Sequence, residues 1–109
     1  MLYILLARLT GEGQKRLVDN PDLIRDVSGE VKVAGTQLLA RYAVLGRYDF
    51  VLIVEADDSE CAARLSLEFG AKAGVHIETL QAISAGLLSG TSIDDLLATL
   101  TSIDEPREG

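Results

Sequence analysis

Residues 49–56 read Asp49-Phe50-Val51-Leu52-Ile53-Val54-Glu55-Ala56, a strand-like run in which the strict polar alternation of a half-exposed strand is missing. A strand with one buried face alternates apolar and polar side chains, because successive residues point to opposite sides. Here Phe50, Leu52, Val54 and Ala56 point one way while Val51 and Ile53 point the other. The opening run behaves alike: Tyr3, Leu5, Ala7 and Leu9 oppose Leu2, Ile4 and Leu6. Strands of this kind need cover on both faces. Two further strand-like runs occupy residues 37–45 and 75–83.

Helical patterns separate these runs. After Thr10, residues 13–34 carry helical spacing interrupted at Asn20-Pro21, where proline removes a donor and disfavours helix at the preceding residue. Leu23, Ile24, Val27 and Val31 then recur at helical intervals, with Gly35 as the expected stop. A second helix is expected to start near Asp57-Asp58-Ser59, whose side chains can cap free amides, and to close at Gly74. Ala62, Leu65 and Phe69 would form its inner face. A third helix is predicted after Ser92, which forms a capping box with Asp95. Its apolar stripe is Ile93, Leu96, Leu97, Leu100 and Ile103.

The order is β-α-β-β-α-β plus an extra C-terminal helix. This is the ferredoxin-like α+β plan, with a four-stranded antiparallel sheet and both core helices on one face. A chain of 109 residues has room for one such domain. The domain is expected over residues 1–84, an extension with the amphipathic helix over 85–104, and a polar tail over 105–109. The apolar second face of the sheet then calls for a homodimer or a higher homo-oligomer.

Charge narrows the partners. Residues 1–54 hold seven Lys/Arg and six Asp/Glu, whereas residues 55–109 hold three and eleven, within a net charge of −7. That balance argues against nucleic acid as a partner. No apolar run approaches the ~18 residues needed to span a bilayer, and the opening run lacks the basic start of a secretory signal. With Cys61 as the lone cysteine, a cytoplasmic location and no membrane partner are expected.

The run Gly46-Arg47-Tyr48-Asp49-Phe50-Val51, with Glu55-Ala56-Asp57-Asp58 and Glu78-Thr79-Leu80-Gln81-Ala82 at their spacing, resembles the GYD domain family. Thr10 with Gly13, Asn20-Pro21, Ala34-Gly35 and Tyr42 support the resemblance, which covers about residues 2–83. It implies a dimeric α/β barrel in which two ferredoxin-like sheets pack face to face. It also implies a distant similarity to the ligand-sensing domain of leucine-responsive bacterial regulators. In those domains small ligands bind near the corresponding segment, between subunits. The helix-turn-helix of a complete regulator has no counterpart here.

Gly46, Arg47, Tyr48 and Asp49 are the candidate ligand-binding residues, against a turn role in which Gly46 adopts positive φ and Asp49 fixes the hairpin. As a site, Arg47 and Asp49 would anchor a small zwitterion beside Tyr48. His76 with Glu78, and Tyr42, are the weaker acid–base candidates. Tyr3 and Tyr42 are expected to give a barrel interior its polar tips. Glu55, Glu78 and His76 would ligate a metal only if the strands brought them together, and β-strand order argues against it. Cys61 sits where a helix dipole lowers a thiol pKa, but Asp57, Asp58 and Glu60 oppose this. Gly11-Glu12-Gly13 lacks the third glycine of a dinucleotide loop.

No triad, metal cluster or nucleotide loop is present, so no cofactor is expected. The sequence favours a non-enzymatic homodimeric domain that binds a small ligand or acts as a regulatory or assembly module. The alternative is a cofactor-independent monooxygenase or isomerase working in the barrel cavity.

Overall fold

The computed structural model describes residues 1–85. The elements run β1 (Leu2–Leu9), α1 (Gly11–Asp19), α2 (Leu23–Glu30), β2 (Thr36–Ala43), β3 (Phe50–Ala56), α3 (Ser59–Ala73) and β4 (Val75–Ala82). The helix expected over residues 92–103 and the tail over 105–109 lie outside the described residues.

Local chemistry sets the boundaries. Thr10 caps α1 through its hydroxyl, which accepts from the Gly13 N–H at 3.0 Å and donates to the Gly74 carbonyl at 3.0 Å. Asn20-Pro21 divides the first helical region as expected. The second piece stops at Glu30, though, five residues before Gly35, and its last N–H bond is Val31 to Val27. Gly35, at φ +81°, instead belongs to the turn that leads into β2. Asp58 caps α3 by accepting from Cys61 N–H, and Gly74 ends it in the left-handed conformation at φ 77°. That conformation strains any residue with a Cβ.

All three strand pairs are antiparallel, in the order β2-β3-β1-β4. The helices cover one side. Tyr3, Leu5 and Ala7 of β1 and Leu52, Val54 and Ala56 of β3 are buried there, with Leu23, Ile24, Val27, Leu65 and Phe69. The alternation read from the sequence therefore holds in both central strands. Tyr3 corrects one expectation: it is 2% exposed in the helix-side core and does not reach the other face.

A β-bulge between Leu38 and Ala40 breaks the phase of β2. Leu38 pairs with Val54 on the helix side, whereas Ala40 pairs with Ile53 and Tyr42 with Val51 on the opposite side. The extra residue reverses the side-chain phase of the strand's second half. Among the described residues, no helix is long and apolar enough to cross a membrane.

Candidate functional site

Antiparallel partners point to the same side of a sheet, so the register fixes what the helix-free face displays. Tyr42, Val51, Leu6 and Glu78 form one row across all four strands, and Ala40, Ile53, Ile4 and Leu80 form the next. Beyond the first row stand Arg8 and His76, paired across β1 and β4. Beyond the second, Gln37, Glu55, Leu2 and Ala82 close the face at its other end. The middle is thus aliphatic and the two ends polar. Ile4, Leu6, Val51 and Ile53 are half-buried, and Leu80 is 43% exposed.

The end marked by Arg8 and His76 carries the candidate site. The β2–β3 loop, with Gly46 at φ +119°, brings Arg47 and Tyr48 onto it. Leu6, Arg8, Arg47, Tyr48, His76 and Glu78 line a depression of about 230 Å³. The Tyr48 hydroxyl donates to a Glu78 carboxylate oxygen across a sequence separation of 30 residues. Both guanidiniums flank that tyrosine: Arg8 lies 5.9 Å and Arg47 5.8 Å from its ring centroid, within cation–π range.

The hydrogen bond to Glu78 pushes the Tyr48 phenol above its ordinary value. Partial burial and the Glu78 charge add to the shift, and Arg47 and Arg8 oppose it. The phenol therefore stays protonated at neutral pH and is a donor rather than a general base. Neither arginine has a carboxylate ion pair among the described residues. The depression thus presents two open guanidiniums, one imidazole and one phenol already engaged by the single carboxylate.

Of the residues singled out in the sequence, Arg47, Tyr48 and His76 meet here. Asp49 does not point into the depression. Its carboxylate accepts from the Leu9 N–H at 2.8 Å and its own N–H donates to the Ala7 carbonyl at 2.9 Å, which ties the loop to β1. Tyr42 shares the face, on the far edge strand and in the row of Glu78. Arg8 was missed, because its place depends on a β1–β4 register that neither segment encodes alone.

Glu55 sits by the amino terminus, with which it forms an ion pair. Along β1 its partner Leu2 is four residues from Leu6, the partner of Glu78, or roughly 13 Å. The three potential ligands Glu55, Glu78 and His76 are therefore not brought together, and among the described residues no group of His, Cys, Asp and Glu can hold a metal ion. Cys61 is held as a neutral thiol: the hydrogen bond to Asp58 pushes its pKa up, burial adds to this, and the charges of Asp58 and Asp57 contribute.

Four antiparallel strands in this order, with every described helix on one side, define a ferredoxin-like α+β domain. Comparison with known proteins places the chain more closely. It belongs to the GYD domain family, whose model matches residues 3–88. It is 43% identical over 82 residues to the glutamine synthetase and cystathionine beta-lyase binding protein of Thermus thermophilus, covering 74% of this chain and 86% of that one. Among solved structures it is similar to the leucine response regulatory protein LrpA of Mycobacterium tuberculosis, at TM-score 0.48 and 12% identity, covering 77% of this chain and 51% of that chain.

Proposed function

We propose that this protein is a non-catalytic binding module that pairs with a second copy through its open sheet face and, as a dimer, docks on a metabolic enzyme. The observation that carries the reading is the open face itself. Its aliphatic middle, formed by Ile4, Leu6, Val51, Ile53 and Leu80, has no covering element among the described residues. A contiguous apolar surface of this kind is what interfaces bury. Two such faces packed together give a barrel with a polar cluster at its rim. There Arg8, Arg47 and His76 would accept a carboxylate, from a small ligand or from the enzyme's own surface.

The enzyme class follows from the Thermus relative, whose name records glutamine synthetase and cystathionine beta-lyase as what that protein binds. The test is calorimetric titration of the purified full chain into each of these two enzymes from its own organism. Micromolar or tighter binding to either, lost in Arg8→Glu/Arg47→Glu, is expected. No binding to both enzymes at tens of micromolar would overturn the assignment of partner. A monomer in sedimentation would overturn the dimer independently.

A further inference from the structure

The bulge in β2 turns Arg41 as well as Tyr42. Leu38 and Arg41 are three residues apart, a spacing that in a regular strand sends side chains to opposite sides. With the extra residue, both pair with helix-side partners, Leu38 with Val54 and Arg41 with Leu52. Bulges re-aim side chains in this way beside functional sites. Arg41 thereby comes to line a groove of about 500 Å³ between β2 and the turn that follows α2.

The groove reaches the core. Leu52, Leu65 and Phe69 line it and are buried, and Val33 and Leu38 beside them are half-buried. Its size falls within the roughly 300–1,000 Å³ of small-molecule sites, which are likewise apolar with a few placed polar groups.

Charge at the groove is of one sign. Lys32 and Arg41 both line it, both are exposed, and neither has an ion pair among the described residues. No Asp or Glu lines it, and Glu30, two residues before Lys32, is paired with Lys72 at 3.4 Å. The hydroxyl protons are already used: Ser28 donates to the Ile24 carbonyl at 2.6 Å and Thr36 to the Val33 carbonyl at 2.7 Å. The groove therefore offers a cationic mouth for an anion and no carboxylate for an ammonium. A free amino acid would leave its ammonium unpaired, and a fully polar anion would gain nothing from the apolar floor.

We propose that this groove binds a small apolar carboxylate, an acyl or aryl acid. Its apolar body lies against Leu52, Leu65 and Phe69, and Arg41 and Lys32 take its carboxylate through charge-assisted hydrogen bonds. The site is on the opposite side of the sheet from the face assigned to the second copy, so the two readings fail independently.

The experiment is a titration of the 15N-labelled full chain, followed by amide shifts, with octanoate and, separately, with 2-naphthoate. Either acid should move the Val33, Leu38 and Phe69 amides with submillimolar affinity. Octanoate alone would assign the acyl class and naphthoate alone the aryl class. Lys32→Glu/Arg41→Glu changes two exposed side chains and should keep the wild-type circular dichroism. It should weaken both acids about tenfold or more while leaving the neutral probe 1-octanol unchanged. Silence of both acids at millimolar concentration would overturn the proposal, as would shifts confined to Leu6, Ile53 and Leu80 on the open face. Undiminished binding to the double variant would remove the cations from the site and overturn it too. Succinate binding as tightly as octanoate would do the same for the apolar floor.

Discussion

The carboxylate of Asp49 accepts a 2.8 Å hydrogen bond from the backbone N–H of Leu9, forty residues earlier in the chain. Leu9 is the last residue of β1, where β3 has already ended as its pairing partner. Asp49 therefore extends the ladder by one bond with a side chain in place of a carbonyl, and holds the loop that carries Arg47 and Tyr48. A hydrogen bond to a charged acceptor is worth about 1.5–3 kcal/mol, at the lower end when partly exposed. Asp49→Ala is expected to cost about 1–2 kcal/mol in urea denaturation, and Asp49→Asn less. An Ala variant as stable as the wild type would reopen a ligand-anchoring role for this carboxylate.

Much of this frame was legible because strands have a period of two. The opposed sets Tyr3/Leu5/Ala7 and Ile4/Leu6 needed no tertiary information, and neither did the start of α3 near Asp58 or its end at Gly74. The site was legible only in pieces. Arg47 and Tyr48 stood out by motif and His76 by rarity, but Arg8 looks like a solitary charge until the register places it opposite His76. Tyr42 depended on a bulge: without the extra residue near Leu39, it would share the helix-side phase of Leu38. A bulge leaves no alternation signal of its own, so its effect on facing cannot be read from residue types.

Gly13 and Gly74 touch backbone to backbone. A Cβ on Gly13 would lie 2.0 Å from the Gly74 carbonyl oxygen, and one on Gly74 2.7 Å from the Gly13 Cα. This close approach lets Thr10 bond the Gly74 carbonyl through both its N–H and its hydroxyl. Gly13→Ala is expected to destabilise by about 2–3 kcal/mol, as overpacking against rigid backbone does. Gly11→Ala, with nothing within 4 Å of its Cβ, should be neutral or slightly stabilising. Thermal melts of the two variants separate packing from helix propensity; equal melting temperatures would contradict the contact.

Asp58 links the cap of α3 to Cys61. The backbone and side-chain hydrogen bonds of Cys61 hold the Asp58 carboxyl below its ordinary value, against a small opposing effect of burial. Because the folded value is depressed, the cap's contribution is present above the unfolded value near pH 4 and is lost as pH falls through the folded one. Wild-type stability should therefore fall more steeply below pH 4 than that of Asp58→Asn, as followed by urea melts. The same contact raises the thiol pKa, so at pH 8 Cys61 should react with iodoacetamide more slowly than a free cysteine. Faster reaction than the free thiol would mean that the helix dipole outweighs Asp58.

Tyr48 provides a spectroscopic check on the rim cluster. Its pKa is raised chiefly by the hydrogen bond to Glu78, so the contact is intact below about pH 10 and is lost as pH rises through the folded value. The ultraviolet difference titration between wild type and Tyr48→Phe should show a phenol ionising above the ordinary value. Glu78→Gln removes the repelling charge and should bring that ionisation down. If Glu78→Gln leaves it in place, the link between the β2–β3 loop and β4 is not what holds the tyrosine.

The open face offers the most direct test of assembly, because a residue there can be charged without entering the core. Ile53 occupies the middle of the face, half-buried between Ala40 and Ile4, and faces away from the helices. Ile53→Lys would place an ammonium where two apolar sheets should meet, and an unpaired charge there costs several kcal/mol in the pair but little in the separated subunit. Leu67 on α3 is 75% exposed on the opposite layer and serves as the control. In sedimentation at micromolar concentration, Ile53→Lys is expected to halve the mass while keeping wild-type circular dichroism, and Leu67→Lys to leave the mass unchanged. Dissociation by Leu67→Lys, with Ile53→Lys still paired, would move the interface from the sheet to the helical layer.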